Sequence, residues 1–135
     1  MAFEYELRVS LEDVDRFDVV FYPRVFVWLQ RATEALFEAG GLSYPDLVQE
    51  TGCEYPIVSA DADYVRPITW GDSVTMDLTT TVGETSYRVA GVGRVDGERA
   101  FDVSRTQVTV DEEAGTSTTV PEVVREALAS FTEAD

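Results

Sequence analysis

The chain contains no histidine, no lysine and only one cysteine among its 135 residues. The absence of histidine excludes a Ser-His-Asp or Cys-His relay, a histidine general base and a His-ligated zinc site. Cys53 alone forms neither an internal disulfide framework nor a thiolate metal cluster, and with no activating base beside it we interpret it as an inert thiol. Any catalysis must therefore use carboxylates, Tyr, Arg, Ser or Thr, or backbone dipoles, and we predict no metal site.

Long apolar runs are also absent. No stretch reaches the roughly 18 apolar residues that a membrane-spanning helix needs, and residues 1–6 lack a basic region followed by an apolar one. We therefore expect a cytoplasmic protein that does not bind membranes. A length of 135 residues, of which 44% are hydrophobic, fits one domain over 1–135 with a substantial core.

Positive charge is scarce. Ten basic residues, all arginine, stand against 26 acidic ones, and the net charge is −16. This balance argues against a nucleic-acid partner. Such a chain repels itself at ordinary ionic strength, whereas at about 1 M salt the Debye length falls to about 3 Å and the repulsion is screened. An acidic, arginine-only surface resembles those of halophilic archaeal proteins, so we expect a high-salt cytoplasm; an ordinary acidic protein is the alternative.

The N-terminal pattern predicts a strand followed by a buried helix. Apolar and polar residues alternate over 3–11, which is the period of a half-buried strand. A helix is predicted from about Pro23 or Arg24 to Ala39, because proline suits a first turn and Gly40-Gly41 supplies a stop. Its apolar residues cover more than a single stripe, so we expect a sheet to wrap around it.

Four more strand-like segments follow a loop through Pro45. The turn residues at their joints, above all Asp96-Gly97, predict that consecutive strands pair antiparallel. Two glycines inside the third of these segments predict a bulge or close packing, and residues 121–131 predict a short terminal helix. The four segments are about Ile57–Arg66, Ser73–Val82, Ser86–Val95 and Arg99–Val110.

Residues 12–23 deliver carboxylates, among them that of Asp15, to the predicted first turn of the helix. Backbone N–H groups near Tyr22 to Val25 would lack intrahelical acceptors and carry partial positive charge. Such groups can hold an oxyanion or a substrate carbonyl, so the arrangement indicates carbonyl chemistry. The alternative interpretation of Asp15 is a turn or capping residue.

Two segments carry a resemblance to a known family. Residues 56–72 resemble the second strand, and the turn after it, of the 4-hydroxybenzoyl-CoA thioesterase family. Residues 12–23 are similar to that family's signature, roughly D-x-D-x-x-G-[IV]-V-[FWY]-[YH]-P, and match it at Asp13, Asp15, Val19, Val20, Phe21, Tyr22 and Pro23.

The resemblance implies a hot-dog fold of the α+β class. We therefore expect a five-stranded antiparallel sheet wrapped around a central buried helix, with a short C-terminal helix. The implied activity is that of an acyl-CoA thioesterase without a cofactor, since CoA is part of the substrate. The implied assembly is a homodimer or a homotetramer.

The resemblance also assigns roles to residues. It places the catalytic carboxylate, as nucleophile or general base, on Asp15 and the carbonyl-polarising backbone N–H on Tyr22. A related branch of hot-dog thioesterases uses a helix glutamate, so Glu34 is the alternative catalyst. Substrate contacts are predicted at Val20, Phe21, Pro23, Phe26, Ser59 and Asp61.

The chain departs from the family at two places. Asp18 stands at the signature's glycine, and residues 83–85 replace the basic hairpin with which benzoyl-type members hold CoA phosphates. Four other arginines are open to phosphate, although we expect each to pair with the acidic surface instead: Arg88, Arg94, Arg99 and Arg105. The alternative function is a non-catalytic acyl-CoA sensor, whereas a hot-dog hydratase would need a histidine.

Overall fold

The computed structural model of the chain describes residues 1–132. The helices are α1 (Arg24–Ala39), α2 (Leu47–Thr51) and α3 (Glu122–Ala129). The strands are β1 (Phe3–Arg8), β2 (Cys53–Glu54), β3 (Ile57–Tyr64), β4 (Ser73–Val82), β5 (Ser86–Val95), β6 (Glu98–Val108) and β7 (Val110–Asp111). Five of the strands form one antiparallel sheet in the order β1-β4-β5-β6-β3, and α1 packs against it. The predicted hot-dog arrangement is confirmed.

Helix α1 lies in the centre of the core, as its sequence predicts. It begins directly after Pro23 and ends before two glycines, the second of which, Gly41, has a φ of 89° that few other residues adopt. Trp28 is fully buried and packs on Phe101 of β6 with ring centroids 5.9 Å apart. Burial of each such side chain contributes about 1.5 to 3 kcal/mol, which holds the helix against the sheet.

Strands β4, β5 and β6 form a meander joined by tight hairpins, as predicted. At the second hairpin Asp96 and Gly97 both have positive φ, 53° and 78°, which is the geometry of a two-residue loop that matches the twist of the strands. Alternate residues of β4, such as Met76 and Leu78, face the core and are fully buried.

The connection from β3 to β4 corrects one prediction. β3 is an edge strand that pairs with β6, and β4 pairs with β1, so residues 65–72 form a crossover and not a hairpin. Turn residues such as Pro67 mark a change of direction, but the pairing of the strands depends on packing across the whole sheet. The Ile68 carbonyl accepts a hydrogen bond from the Val20 N–H at 2.8 Å, which brings the crossover beside the start of α1.

Two short regions also differ from the prediction. β1 ends at Arg8, and Leu11 is 75% exposed, because residues 11–13 form a single 3₁₀ turn instead of extending the strand. The predicted loop through Pro45 contains helix α2 and strand β2, which lie between α1 and β3 in the chain. β2 pairs with β7, the short strand after β6, in a separate two-stranded ribbon. Five residues are too few to give a helical period that can be read from the sequence.

Helix α3 packs against α1 and β4. The Thr80 hydroxyl of β4 donates to the Leu128 carbonyl at 3.0 Å, which ties the end of α3 to the sheet. This confirms the predicted C-terminal helix, although its ends are one or two residues shorter. No helix in the described part of the chain is long and apolar enough to cross a membrane.

Candidate active site

A cavity of about 370 Å³ lies at the N-terminal end of α1. Its wall is formed by the loop before α1, the first turns of α1, the last residue of β3 and the crossover. The lining residues are Val19, Val20, Tyr22, Val25, Tyr64, Val65, Arg66, Pro67 and Ile68. One of these nine side chains, that of Arg66, is charged at neutral pH, so the wall is mainly apolar.

Two backbone N–H groups at this end of α1 have no hydrogen-bond acceptor within residues 1–132, those of Tyr22 and Val25. Their neighbours are paired: the Phe21 N–H donates to the Asp13 carbonyl and the Arg24 N–H to the Phe21 carbonyl, each at 2.9 Å. Unpaired N–H groups at a helix N-terminus carry partial positive charge and attract oxygen atoms. The cavity therefore has two donors on residues of its wall, one of them the predicted Tyr22 N–H.

Asp13 holds the helix entrance together. It is 2% exposed, and its Oδ1 accepts hydrogen bonds from Arg24 Nε at 2.8 Å and from Trp28 Nε1 at 3.4 Å. Its Oδ2 accepts from the Ser10 N–H at 2.9 Å. Burial opposes ionisation, but the donors from Ser10, Arg24 and Trp28 outweigh it and hold the pKa of Asp13 below its usual value. Asp13 is thus a supporting carboxylate, a role that the sequence analysis did not assign.

Asp15, the predicted catalyst, is exposed and lies next to the cavity without lining it. Its Oδ1 accepts hydrogen bonds from the N–H groups of Phe17 at 2.8 Å and Val19 at 3.4 Å. Its own N–H donates to the Val19 carbonyl at 2.9 Å. The turn role is therefore observed, while Oδ2 has no hydrogen bond within residues 1–132. A chemical role for Asp15 stays a prediction.

Asp18 adopts the left-handed conformation for which the family signature has glycine, with a φ of 60°. Aspartate tolerates this region better than most residues because its short side chain can bond locally. Here its Oδ1 accepts a hydrogen bond from the Trp70 N–H at 3.3 Å, which links the loop to the crossover. The departure at Asp18 therefore leaves the loop in a glycine-like geometry.

Glu34, the alternative catalyst, lies far along α1 from the cavity. Twelve residues separate it from Tyr22, which corresponds to about 18 Å of helix. Its carboxylate is exposed and accepts one hydrogen bond, from Gln30 Nε2 at 2.9 Å. Gln30 in turn accepts a hydrogen bond from the buried Arg105 of β6. Glu34 is therefore not brought to this cavity.

The predicted substrate contacts divide into two groups. Val20 lines the cavity, and Phe21, Pro23 and Phe26 flank it on the same stretch of chain without lining it. Ser59 and Asp61 are exposed and alternate along β3 with Ala62, which pairs with buried Val103. Because side chains alternate across a strand, both residues lie on the sheet face away from α1. Asp61 lines a separate groove there with Arg88. Ser59 and Asp61 therefore do not line this cavity, and contact of these two residues with the substrate stays a prediction.

The arginines considered for phosphate are engaged elsewhere in three of four cases. Arg94 lies 3.6 Å from a carboxylate oxygen of Asp77, and Arg99 pairs with Asp102. Arg105 is 5% exposed and bonds to Gln30. The expected pairing with the acidic surface is thus confirmed for Arg94 and Arg99.

Tyr64 and Arg66 are site residues that the sequence analysis missed. The Tyr64 hydroxyl donates a hydrogen bond to the Tyr22 carbonyl, directly beside the free N–H. Arg66 forms an ion pair with Glu98 at 3.0 Å on the cavity rim. Both residues belong to the matched segment 56–72, but only the folded structure brings them to the cavity beside the start of α1.

A profile of the thioesterase-like superfamily matches residues 9–128. Among curated relatives, a 1,4-dihydroxy-2-naphthoyl-CoA hydrolase of Picosynechococcus is 32% identical over 78 residues, which are 58% of this chain and 53% of that protein. The match thus spans about half the length of this curated relative.

Solved structures show the same fold. A 1,4-dihydroxy-2-naphthoyl-CoA thioesterase from Synechocystis, Slr0204, superposes with a TM-score of 0.90 at 19% identity, over 97% of this chain and 98% of its own. The BH1999 gentisyl-coenzyme A thioesterase gives 0.81 at 21% identity, over 93% and 98%. With the profile covering nearly the whole chain and these folds superposing on it, the chain belongs to the thioesterase-like superfamily.

Proposed function

We propose that the chain hydrolyses an acyl-CoA thioester to a free acid and CoA. The observation that carries this proposal is the Tyr22 N–H, which has no acceptor within residues 1–132, on the wall of an apolar cavity in a chain of the thioesterase-like superfamily. The acyl group occupies the cavity, and its carbonyl oxygen accepts from this N–H. Charge that develops on the oxygen is then stabilised, and loss of one such donor typically costs about 3 to 4 kcal/mol.

In the proposed reaction Asp15 supplies the attacking oxygen or activates it. In one route its carboxylate attacks the thioester carbon, the C–S bond breaks, CoA leaves as a thiolate and water hydrolyses the mixed anhydride. In the other route Asp15 removes a proton from a water that attacks the same carbon, the C–S bond breaks, and CoA leaves as a thiolate that takes up the proton. The two hydrogen bonds from the Phe17 and Val19 N–H groups to Oδ1 orient the Asp15 carboxylate, and its Oδ2 is the oxygen available for either route.

We infer an aromatic acyl group of the type handled by the 4-hydroxybenzoyl-CoA thioesterase family. Support comes from the names of the relatives, which are hydrolases of naphthoyl-CoA and gentisyl-CoA thioesters. The cavity is also suited to an aromatic group, because its lining is mainly apolar and includes two tyrosines. Its volume falls in the range of small-molecule sites.

We further propose that two copies pair through β3, as a dimer or within a tetramer. β3 is an edge strand with one paired side, and large apolar residues on and beside it are exposed, among them Ile57, Val58 and Tyr64. Edge strands of this kind invite pairing with another chain. Light scattering should give a multiple of the 15.0 kDa chain mass; a monomer at micromolar concentration would exclude this assembly.

Free-thiol release from aryl and fatty acyl-CoAs in high salt tests the reaction. Asp15→Asn is the sharpest variant, because the amide oxygen still accepts from Phe17 and Val19 while the nucleophilic charge is gone. We expect a loss of at least about a hundredfold in kcat/KM. Glu34→Gln is the matched control and should retain activity. An inactive Glu34→Gln together with an active Asp15→Asn would instead assign the catalytic role to Glu34.

A non-catalytic acyl-CoA sensor is the second candidate. It is favoured by one observation, that Asp15 is exposed and its Oδ1 is satisfied within its own turn. This candidate predicts that the wild-type chain binds acyl-CoA in calorimetry but releases no thiol from any member of the panel. Turnover by the wild type would exclude it.

A further inference from the structure

We propose that Tyr64 is a positioning residue: its hydroxyl holds residue 22 so that the Tyr22 N–H points to the substrate carbonyl. The inference rests on the proposed thioesterase function and deepens it. Tyr64 is the last residue of β3, it lines the cavity, and its hydroxyl donates to the Tyr22 carbonyl. The sheet and the start of α1 are thus joined at the residue whose N–H is proposed to act on the substrate.

Helix α1 itself does not hold the Tyr22 carbonyl. In a regular α-helix this oxygen would accept from the N–H of Phe26. Here the Phe26 N–H donates to the Pro23 carbonyl at 3.1 Å instead. Within residues 1–132 the hydroxyl of Tyr64 is the donor that reaches the Tyr22 carbonyl. No other donor among residues 1–132 bonds to this oxygen.

The residue that carries this donor, Tyr64, is held in place by β6. Tyr64 pairs in register with Phe101 of β6, and the N–H of the next residue, Val65, donates to the Ala100 carbonyl at 2.8 Å. Phe101 is itself fully buried against Trp28. Although the Tyr64 side chain is half exposed, partial desolvation of its phenol and the neighbouring Tyr22 phenol raise the pKa of Tyr64, so the hydroxyl keeps its proton and remains a donor at neutral pH.

A rigid donor is worth more in the transition state than in the bound substrate. Charge on the carbonyl oxygen grows during attack, so the N–H must already have the correct direction. A small displacement of a catalytic group can lower the rate by up to about a hundredfold. Loss of the Tyr64 hydroxyl should therefore lower kcat while substrate affinity changes little.

Tyr64→Phe tests this, with Tyr55→Phe as the matched control. Tyr55 also loses one hydroxyl hydrogen bond, to Thr51 at 2.8 Å, but it does not line the cavity. With the best acyl-CoA of the panel, we expect Tyr64→Phe to reduce kcat by about ten- to a hundredfold with KM within about twofold. The control should differ from wild type by less than about twofold in both constants.

Two CoA analogues give a readout that a general loss of stability would not reproduce. A thioether without the carbonyl reports substrate binding, and a difluoromethylene ketone that keeps the acyl group, and that hydrates to a gem-diol resembling the tetrahedral intermediate, reports transition-state binding. Tyr64→Phe should weaken only the ketone, by the same factor as kcat/KM. Equal affinities in variant and wild type, or equal weakening of both analogues, would overturn the proposal. If the wild type hydrolyses no acyl-CoA, the proposed function fails together with this inference. If the wild type is active and Tyr64→Phe does not show the expected effect, only this inference fails.

Discussion

Two carboxylates separated by one residue have opposite environments at the helix entrance. The Asp13 carboxylate is buried and accepts from Ser10, Arg24 and Trp28, whereas the exposed Asp15 carboxylate accepts, among the described residues, from N–H groups of its own turn. The buried group keeps its charge because charge-assisted hydrogen bonds replace its hydration. Its role is to fix the loop and the first turn of α1, so that Asp15 and the Tyr22 N–H have defined positions.

Asp13→Asn should destabilise the fold by about 2 to 4 kcal/mol, because Arg24 loses its buried partner. Asp15→Asn should change stability by less than about 0.5 kcal/mol, as expected at an exposed site.

Since the folded pKa of Asp13 is lowered, its contribution to stability is present above the ordinary carboxyl pKa of about 4 and is lost as pH falls through the lower folded value. Urea unfolding of the wild type and of both variants at pH 7 and at about pH 3 measures the loss of unfolding free energy and its dependence on pH. Equal stability of Asp13→Asn and wild type at pH 7 would contradict this account.

Strand β5 packs unusually closely against β6. Gly93 lies opposite Phe101, and a side chain at Gly93 would overlap the Phe101 ring. The register of the pair shifts between Gly93 and Arg94, so the predicted bulge and the predicted close packing are both present. The missing side chain leaves room for the ring that packs on Trp28 of α1.

Gly93→Ala should therefore cost about 1 to 3 kcal/mol or more, because the methyl group must push Phe101 out of its place in the core. Gly83→Ala is the control: its nearest neighbour, the Ser86 carbonyl oxygen, lies 3.5 Å from the added carbon, an ordinary contact. Chemical denaturation of both variants compares them directly. A Gly93→Ala protein as stable as Gly83→Ala would show that the sheet yields at no cost.

At the scale of the whole molecule, charge is the dominant feature. The net charge is −16, and the ion pairs of the described residues are mostly exposed, so they offset little of the repulsion. Screening this repulsion by raising KCl from about 0.1 M to about 2 M should add about 2 kcal/mol, or roughly 6 to 10 °C in Tm. Thermal unfolding across that range checks it. A flat response would remove the inference of a high-salt origin and leave the fold assignment intact.

Most of the secondary structure could be predicted from local pattern. α1, β4 and β5 lie within about a residue of their predicted bounds, because periodicity, Pro23 and the glycine stops act over a few residues. The pairing of β3 with β6 could not be predicted, because Pro67 and Gly71 are equally compatible with a hairpin and with a crossover.

The site divides in the same way. The sequence by itself determined that no histidine is available for any chemistry, that Asp15 precedes a helix, and that N–H groups near Tyr22 have no acceptor within the helix. Only the tertiary structure decided that Asp13 is the buried support, that Ser59 and Asp61 face away from α1, and that Tyr64 meets Tyr22 from 42 residues away. The physical reason is range: propensity, turns and helix ends depend on neighbouring residues, whereas contacts between distant residues depend on how the sheet closes around the helix.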